Sequence, residues 1–421
     1  MEEQSNSFSV PQERIKVIDA LRGFTLLGVL IAHMLQRYSV PNNLPRLEPL
    51  FPDLDASIQL FVRNFVSGKF VIIFSFLFGL SFFIQMDRAS KKGMDFRKRF
   101  LWRMAVLLVI GMVGNCFYSM DILPIYAILG FVMVLFYNFK NWLLIVFASL
   151  LLLGAPRFIS TVYNKVTLTE QIVEQQQPSN RDTPRVASTS TSTQNIESQS
   201  FFEAAYYNVT TQFARKWNMQ FGPSARGWVT FALFLLGIIV GRSRFFEQVH
   251  LRKKQNIILF AGFVISAIIM NYIIGLFPQQ GARITSTTIW DTSLLPRLSS
   301  MALSDIRNLL YSGSYVMGFI VLFQIKHIGK GLNILTPYGR MGLTNYEMQS
   351  ILGAIIFSMW GLGAIFGNQG PTQLLILALL IYTIQVIISK YWMKYFIYGP
   401  FEWFWRSATY MKWQPFKKNN S

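Results

Sequence analysis

Asp19, Arg22 and His33 stand together in one apolar stretch, "DALRGFTLLGVLIAHM". Arg22 and His33 are eleven residues apart, about three turns of an α-helix, so on a helix both side chains face nearly the same way. Asp19, three residues before Arg22, shares that face. Ionisable groups on a helix in lipid are costly and face a bundle interior or a water-filled cavity. An imidazole titrates near neutrality and suits moving a proton from a reacting hydroxyl. An arginine suits holding phosphate or carboxylate. The bland alternative is that Asp19 and Arg22 reach interfacial water at the mouth of a span and that His33 is a hydrogen-bonded structural residue.

The elements that must position these groups follow from composition. Of 421 residues, 52% are hydrophobic and 14% charged, where a soluble chain carries about a quarter charged. The apolar residues come in runs of roughly the 20 residues that cross a bilayer. The fold class is therefore all-α, a polytopic helical membrane protein. About ten transmembrane helices are predicted, near 18–36, 64–86, 101–118, 121–138, 141–158, 226–242, 256–277, 306–325, 341–360 and 371–389.

The net charge of +19 raises nucleic acid as a partner, but no recognition module is visible. The positives instead gather in short loops, as the positive-inside rule expects. Arg88, Lys91, Lys92, Arg97, Lys98 and Arg99 mark one such loop, and Arg242, Arg244, Arg252, Lys253 and Lys254 another. This pattern predicts a plasma-membrane protein with both termini cytoplasmic. The single cysteine, Cys116, excludes an intrachain disulfide and a cysteine metal cluster. No metal-ligand spacing and no phosphate-binding glycine loop occurs.

Four regions are expected: a membrane half at 1–158, a long polar extracytoplasmic loop at 159–225, a second membrane half at 226–389 and a tail at 390–421. The middle of the loop, "PSNRDTPRVASTSTSTQNIESQS", is poor in apolar residues and reads as disordered. The tail, "YGPFEWFWRSATYMKWQPFKK", mixes aromatics with Lys and Arg, as a cytoplasmic interfacial helix does. Glu402 and Arg406, four apart, are expected to pair on its surface.

Depth along the predicted spans sorts the remaining polar residues. His33, Lys69 and Asp121 fall near the outer face, where they would share a pocket if their spans pack together. Arg340, Asn345 and Glu347 fall in the inner half of the ninth span, at the depth of Arg22. Buried charges need partners, so Arg22 is expected to meet Asp19 or Glu347, and Glu347 and Arg340 are a further possible pair.

Several stretches carry a resemblance. "RIKVIDALRGFTLLGVLIAHM", "GKFVIIFSFLFGLSFF", "GRMGLTNYEMQS" and the tail together resemble the YeiB-like family of bacterial multi-span membrane proteins, whose function is unknown and which is often labelled as transport. The first span also resembles integral-membrane acyltransferases, which carry an Arg, ten residues and a His in their first helix; here these are Arg22 and His33. That resemblance implies a cytoplasmic acyl-CoA donor, an acceptor outside and an essential His.

Three functions stay open. The first is acyl transfer across the membrane to an envelope lipid or glycan, with His33 as base, Asp121 orienting its ring, Lys69 stabilising oxyanion charge, and Asp19, Arg22, Arg340, Asn345 and Glu347 holding substrate. No tightly bound cofactor is expected; acyl-CoA would be a substrate. The second is transport of a small or amphipathic solute along the same polar stripe. The third is a non-catalytic envelope scaffold.

Overall fold

A computed structural model describes residues 15–40, 50–163, 200–222, 224–276 and 294–418. Among them the regular structure is helical, apart from one bridge between Phe396 and Lys417. The first half holds α1 (Lys16–Leu35), α2 (Pro52–Phe61), α3 (Lys69–Ser90), α4 (Arg97–Phe117), α5 (Leu123–Phe136), α6 (Asn141–Leu152) and α7 (Ala155–Tyr163). Next come α8 (Phe201–Tyr207), α9 (Phe213–Phe221), α10 (Arg226–Arg242), α11 (Phe245–Gln248), α12 (Lys253–Leu276) and α13 (Leu294–Gln324). The last are α14 (Lys326–Leu332), α15 (Leu335–Arg340), α16 (Gly342–Phe357), α17 (Gly363–Phe366), α18 (Pro371–Tyr395) and α19 (Pro400–Tyr410).

Six helices among the described residues are long and apolar enough to cross a membrane, or up to eight if two bent pairs, α6 with α7 and Phe201–Phe221 with α10, each count as one span. The chain is a helical membrane protein. The segments expected at 121–138 and 341–360 are the shorter helices α5 and α16. On α12, Ile258, Ile265, Ile268 and Leu276 all point outward, a surface that lipid covers.

The centre of the bundle is α1, which packs against α3, α15, α16 and α18. Missing side chains set its closest crossing. A Cβ on Gly339 would stand 1.8 Å from the Asp19 carbonyl oxygen, and one on Gly23 would stand 2.7 Å from that of Leu335. Small residues let membrane helices approach to backbone contact in this way. The α3–α10 crossing repeats the device, with a Gly79 Cβ falling 2.2 Å from the Phe234 carbonyl oxygen.

Two expectations change. The 159–225 segment is not simply a loop. Its first residues continue α7 to Tyr163 and its last third is helical, while 164–199 lies outside the described residues. Ser200 and Glu203 form a capping box that starts α8, and Phe213, Trp217 and Phe221 recur at helical spacing along α9. The tail does more than lie on an interface. Its helix α19 is bound to α4, with Trp405 Nε1 donating to the Arg103 carbonyl and Trp102 Nε1 to that of Ala408, both at 2.9 Å.

The α1–α15 contact is testable. Gly339→Ala is expected to lower stability by about 1–3 kcal/mol, the usual cost of overpacking, seen as a lower unfolding midpoint in detergent. Gly331→Ala, with nothing within 4 Å of the new carbon, is expected to leave the midpoint unchanged.

Candidate functional site

The Arg22 end of α1 opens on a cavity of about 340 Å³. Five guanidinium groups line it: Arg22, Arg88, Arg103, Arg340 and Arg406. Arg22 donates to Asp19 Oδ1 at 2.9 Å and to Ser81 Oγ at 3.1 Å. The pair therefore forms as the i,i+3 spacing predicts, and Arg22 does not reach Glu347. Arg103 lies 3.6 Å over the Trp405 ring, and Arg406 5.2 Å from the rings of both Tyr398 and Tyr410. Aromatic faces hold these cations in place. The cavity carries more positive than negative groups, Asp19 and Glu402 being its acids, so it suits an anionic ligand.

Glu402 does not pair with Arg406. Its carboxylate accepts from the backbone N–H groups of Leu343 and Thr344 at 2.6 and 3.0 Å and from Thr344 Oγ1 at 2.6 Å. It caps α16 from another helix, supplying acceptors to N–H groups that have no partner within the helix. Burial pushes its carboxyl up, and the hydrogen bonds from Thr344 and Leu343 work the other way.

Tyr346, one turn into α16, lines the same cavity and leads out of it. Its hydroxyl donates to Asp121 Oδ1 at 2.9 Å, which also accepts from the Leu123 N–H at 2.9 Å. Asp121 thus holds the start of α5. Its other oxygen, Oδ2, has no hydrogen-bond partner, and neither has Oε1 of Glu347. The two carboxyl groups converge over Gly114. Asp121 Oδ2 and Glu347 Oε2 each lie 2.5 Å from the point where a Gly114 Cβ would stand, so they are at most twice that distance apart. Both residues are almost wholly buried, at 0% and 2% exposure.

The lysine beside this pair is Lys216 of α9. It is fully buried and donates to Asp121 O at 3.0 Å and to Asn115 Oδ1. Asn115 Nδ2 in turn donates to Asn208 O at 3.0 Å, and Asn208 Nδ2 to Cys116 O at 3.1 Å. A π-helical turn, Asn208–Gln212, joins α8 to α9 at this contact.

His33 stands at the other end of α1. Its ring lies 4.9 Å from Tyr118 and 5.4 Å from Tyr38, which are themselves 5.0 Å apart. Tyr38 sits in a left-handed turn, with φ of 47° at Arg37, 51° at Tyr38 and 56° at Ser39. Such backbone costs roughly 1–2 kcal/mol per residue outside glycine. It is held by Arg37, which donates to the carbonyls of Gly367 at 2.8 Å and Gln369 at 2.9 Å. The Tyr38 hydroxyl is buried without a partner. Tyr38 also lines a second, smaller cavity of about 40 Å³ with Ser39, Cys116, Ser119, Asn208 and Trp360. A septum containing Tyr118, Asp121, Tyr346 and Glu347 therefore lies between the arginine cavity and the histidine end.

The expected site is revised in four places. Lys69 does not join His33 and Asp121. It faces α13, with Nζ 3.4 Å from the Arg63 carbonyl and 5.9 Å from the Tyr311 ring, while Ser312 donates to its carbonyl. Glu347 lies at the level of Asp121 instead of Arg22, because α16 begins inside the protein and its second turn already reaches the bundle centre. Asn345 faces away from the cavity, donating to Tyr338 O and Ser389 Oγ at 3.0 Å in a buried network that joins α15, α16 and α18. Asp121 binds Tyr346 and reaches the His33 neighbourhood through Tyr118, whose carbonyl accepts from the Asp121 N–H at 3.1 Å; it does not orient the His33 ring by a hydrogen bond.

Sequence reasoning missed Tyr38, Tyr118, Tyr346 and Lys216. Only Lys216 left a usable signal, the Phe213–Trp217–Phe221 stripe around it.

Residues 240–412 match a family described as "Protein of unknown function (DUF418)". Residues 14–186 match "Heparan-alpha-glucosaminide N-acetyltransferase, catalytic". The chain is 29% identical to "Uncharacterized protein YxaH" of Bacillus subtilis, over 97% of this chain and 98% of that one. It is 24% identical to "Uncharacterized protein YeiB" of Escherichia coli, over 94% and 96%. The chain is thus similar to these two uncharacterised bacterial proteins over nearly its whole length, and its first seven helices lie in the region similar to an acetyltransferase catalytic domain. Asp121 lies in one matched region and Glu347 in the other.

The Glu402 cap can be measured. Glu402→Ala is expected to destabilise the protein by about 2 kcal/mol, the upper range for a lost cap, read as a lower denaturation midpoint. Asn345→Ala is expected to lower the midpoint by about 1–3 kcal/mol, through unpaired buried groups.

Proposed function

We propose that this protein transfers an acyl group from an acyl-CoA bound in the arginine cavity to an acceptor approaching from the His33 side. The observation that carries this reading is the cavity itself. Five arginines surround its apolar bore, and it ends at Tyr346 on a buried polar layer, within a bundle whose first half resembles an acetyltransferase. Arg22, Arg103, Arg340 and Arg406 would bind the donor's phosphates, since guanidinium groups make forked, charge-assisted bonds to phosphate oxygens. The apolar bore would take the pantetheine arm and present the thioester to the septum.

His33, about 16 Å along the helix from Arg22, would act as general base on an acceptor hydroxyl or amine. A cell-envelope lipid or glycan is the acceptor class that fits a site facing away from the donor. Lys216, in place of Lys69, would stabilise negative charge on the reacting carbonyl, as a fixed cation in a water-poor site does. The positive-inside pattern supports an arginine cavity that would open to the cytoplasmic side of a plasma membrane, with both termini on that side.

Two cavities on either side of one polar layer also fit alternating access, the geometry of a solute transporter. That reading predicts gradient-driven flux without a covalent product.

Inside-out vesicles supplied with radiolabelled acetyl-CoA separate the two. Label is expected in lipid or glycan with the wild type. His33→Ala is expected to lower it by about 100-fold or more, the scale of a lost general base, while inserting normally. Equal labelling in both would remove His33 from the mechanism. Arg406→Ala is expected to raise the KM for acetyl-CoA about tenfold with kcat little changed, the mark of lost ground-state binding.

A further inference from the structure

The buried acids Asp121 and Glu347 have no assigned chemistry as a pair. They come from different helices and meet where Gly114 leaves room for both. Each keeps one carboxyl oxygen without a hydrogen-bond partner. Two carboxylates this close cannot both ionise in a buried site, and such pairs share one proton. The surrounding charge agrees. Lys216 is a cation bound at the site, and it donates to Asp121 O and Asn115, leaving Asp121 Oδ2 and Glu347 Oε1 without a donor. One positive lysine and one proton between two carboxyls make a neutral cluster, the cheapest state away from water. The pair also has a route outward. Tyr346 touches Asp121 Oδ1 with its hydroxyl and lines the arginine cavity.

We infer that Asp121 and Glu347 form a one-proton carboxyl pair that serves, through the Tyr346 hydroxyl, as the acid for the thiolate leaving in the arginine cavity. The inference rests on the acyl-transfer reading. As the acceptor oxygen or nitrogen bonds to the acyl carbon, its proton passes to His33 and the carbon–sulfur bond breaks. The sulfur takes the Tyr346 proton while Tyr346 takes the proton of the pair. The proton on His33 afterwards restores the pair, so the net change moves one acceptor proton to the thiol. No oxidant or further reactant is needed. A base at one side of the septum and an acid at the other would let acceptor and donor stay on opposite faces.

The test has a spectroscopic arm and a kinetic arm. Infrared spectra of the purified full-length protein in lipid are expected to show a carbonyl stretch of a protonated, deuterium-sensitive carboxyl that Glu347→Gln removes. In membrane vesicles with their own acceptor, Glu347→Gln and Tyr346→Phe are each expected to slow transfer from acetyl-CoA by about 100-fold, the scale of general acid catalysis. With the acetyl thioester of a nitrothiophenol, whose thiolate needs no proton to leave, the same variants are expected to stay within roughly threefold of wild type, since the acid acts only in expelling the thiolate.

A wild-type protein without the band overturns the one-proton pair. A band together with equal losses on both donors overturns the acid role. A band with no wild-type transfer from either donor overturns the acyl-transfer reading and the acid role with it, while the pair itself stands.

Discussion

The carboxylate of Glu402 on the first N–H groups of α16 is the contact on which the site depends. A helix that starts inside a membrane bundle leaves N–H groups that water cannot satisfy. Here an acid from α19 supplies the acceptors. That fixes where α16 begins and therefore which residues of its first turns face the centre. Tyr346 and Glu347 follow directly and land on Asp121 and Gly114. The same solution recurs at α18, where Asp55 of α2 accepts from the Thr372 N–H at 2.8 Å and from its hydroxyl at 2.5 Å. Carboxylates placed at helix N-termini also answer the local dipole, so these acids serve structure; Asp55 too keeps one oxygen without a partner, and Asp121 and Glu347 stand apart in that their two carboxyl groups converge over Gly114.

The closeness of α1 and α15 has a matching consequence at the cavity mouth. Without a Cβ at Gly339 the two backbones nearly touch, and Arg22 can lie across α15 with a 3.4 Å contact to the Gly339 carbonyl while holding Asp19 and Ser81. Arg22 is thereby fixed at the cavity wall by three elements at once. Arg103 and Arg406 are fixed by aromatic faces instead. A set of cations that must stay close together against mutual repulsion requires such rigid supports, and much of the aromatic tail's packing supplies them.

What the sequence made legible was periodicity and local spacing. The Asp19–Arg22–His33 stripe, the helical membrane class and the i,i+3 ion pair all follow from rise and rotation along one helix. What it left hidden was rotation about the bundle and how the helices pack, since several starts, at 141, 226, 341 and 371, fall on or next to the observed ones. Lys69 shares a predicted depth with His33, but Gly68, at a φ of 80°, breaks the helix just before it and α3 presents Lys69 to α13. Glu347 has the right chemistry, but counting residues along its span groups it with Arg22, whereas packing of α16 sets it beside Asp121 over Gly114. Lys216 was lost in a segment whose middle is polar, although its own turns carry a helical apolar stripe.

The left-handed turn after α1 bears on why a histidine stands at the end of this helix. A run of non-glycine residues at positive φ persists only where its surroundings over-determine it. Arg37 anchors the turn to two carbonyls, and Tyr38 fills the space over Gly353, whose Cβ would stand 2.3 Å from its ring. The result is a rigid aromatic box in which the His33 ring is confined by Tyr38 and Tyr118. A structural histidine needs no such strained support, since a hydrogen bond would fix it at lower cost. Strain next to an ionisable ring, a buried tyrosine hydroxyl left without a partner and a cavity on the same side together favour a site that acts on something arriving from that face.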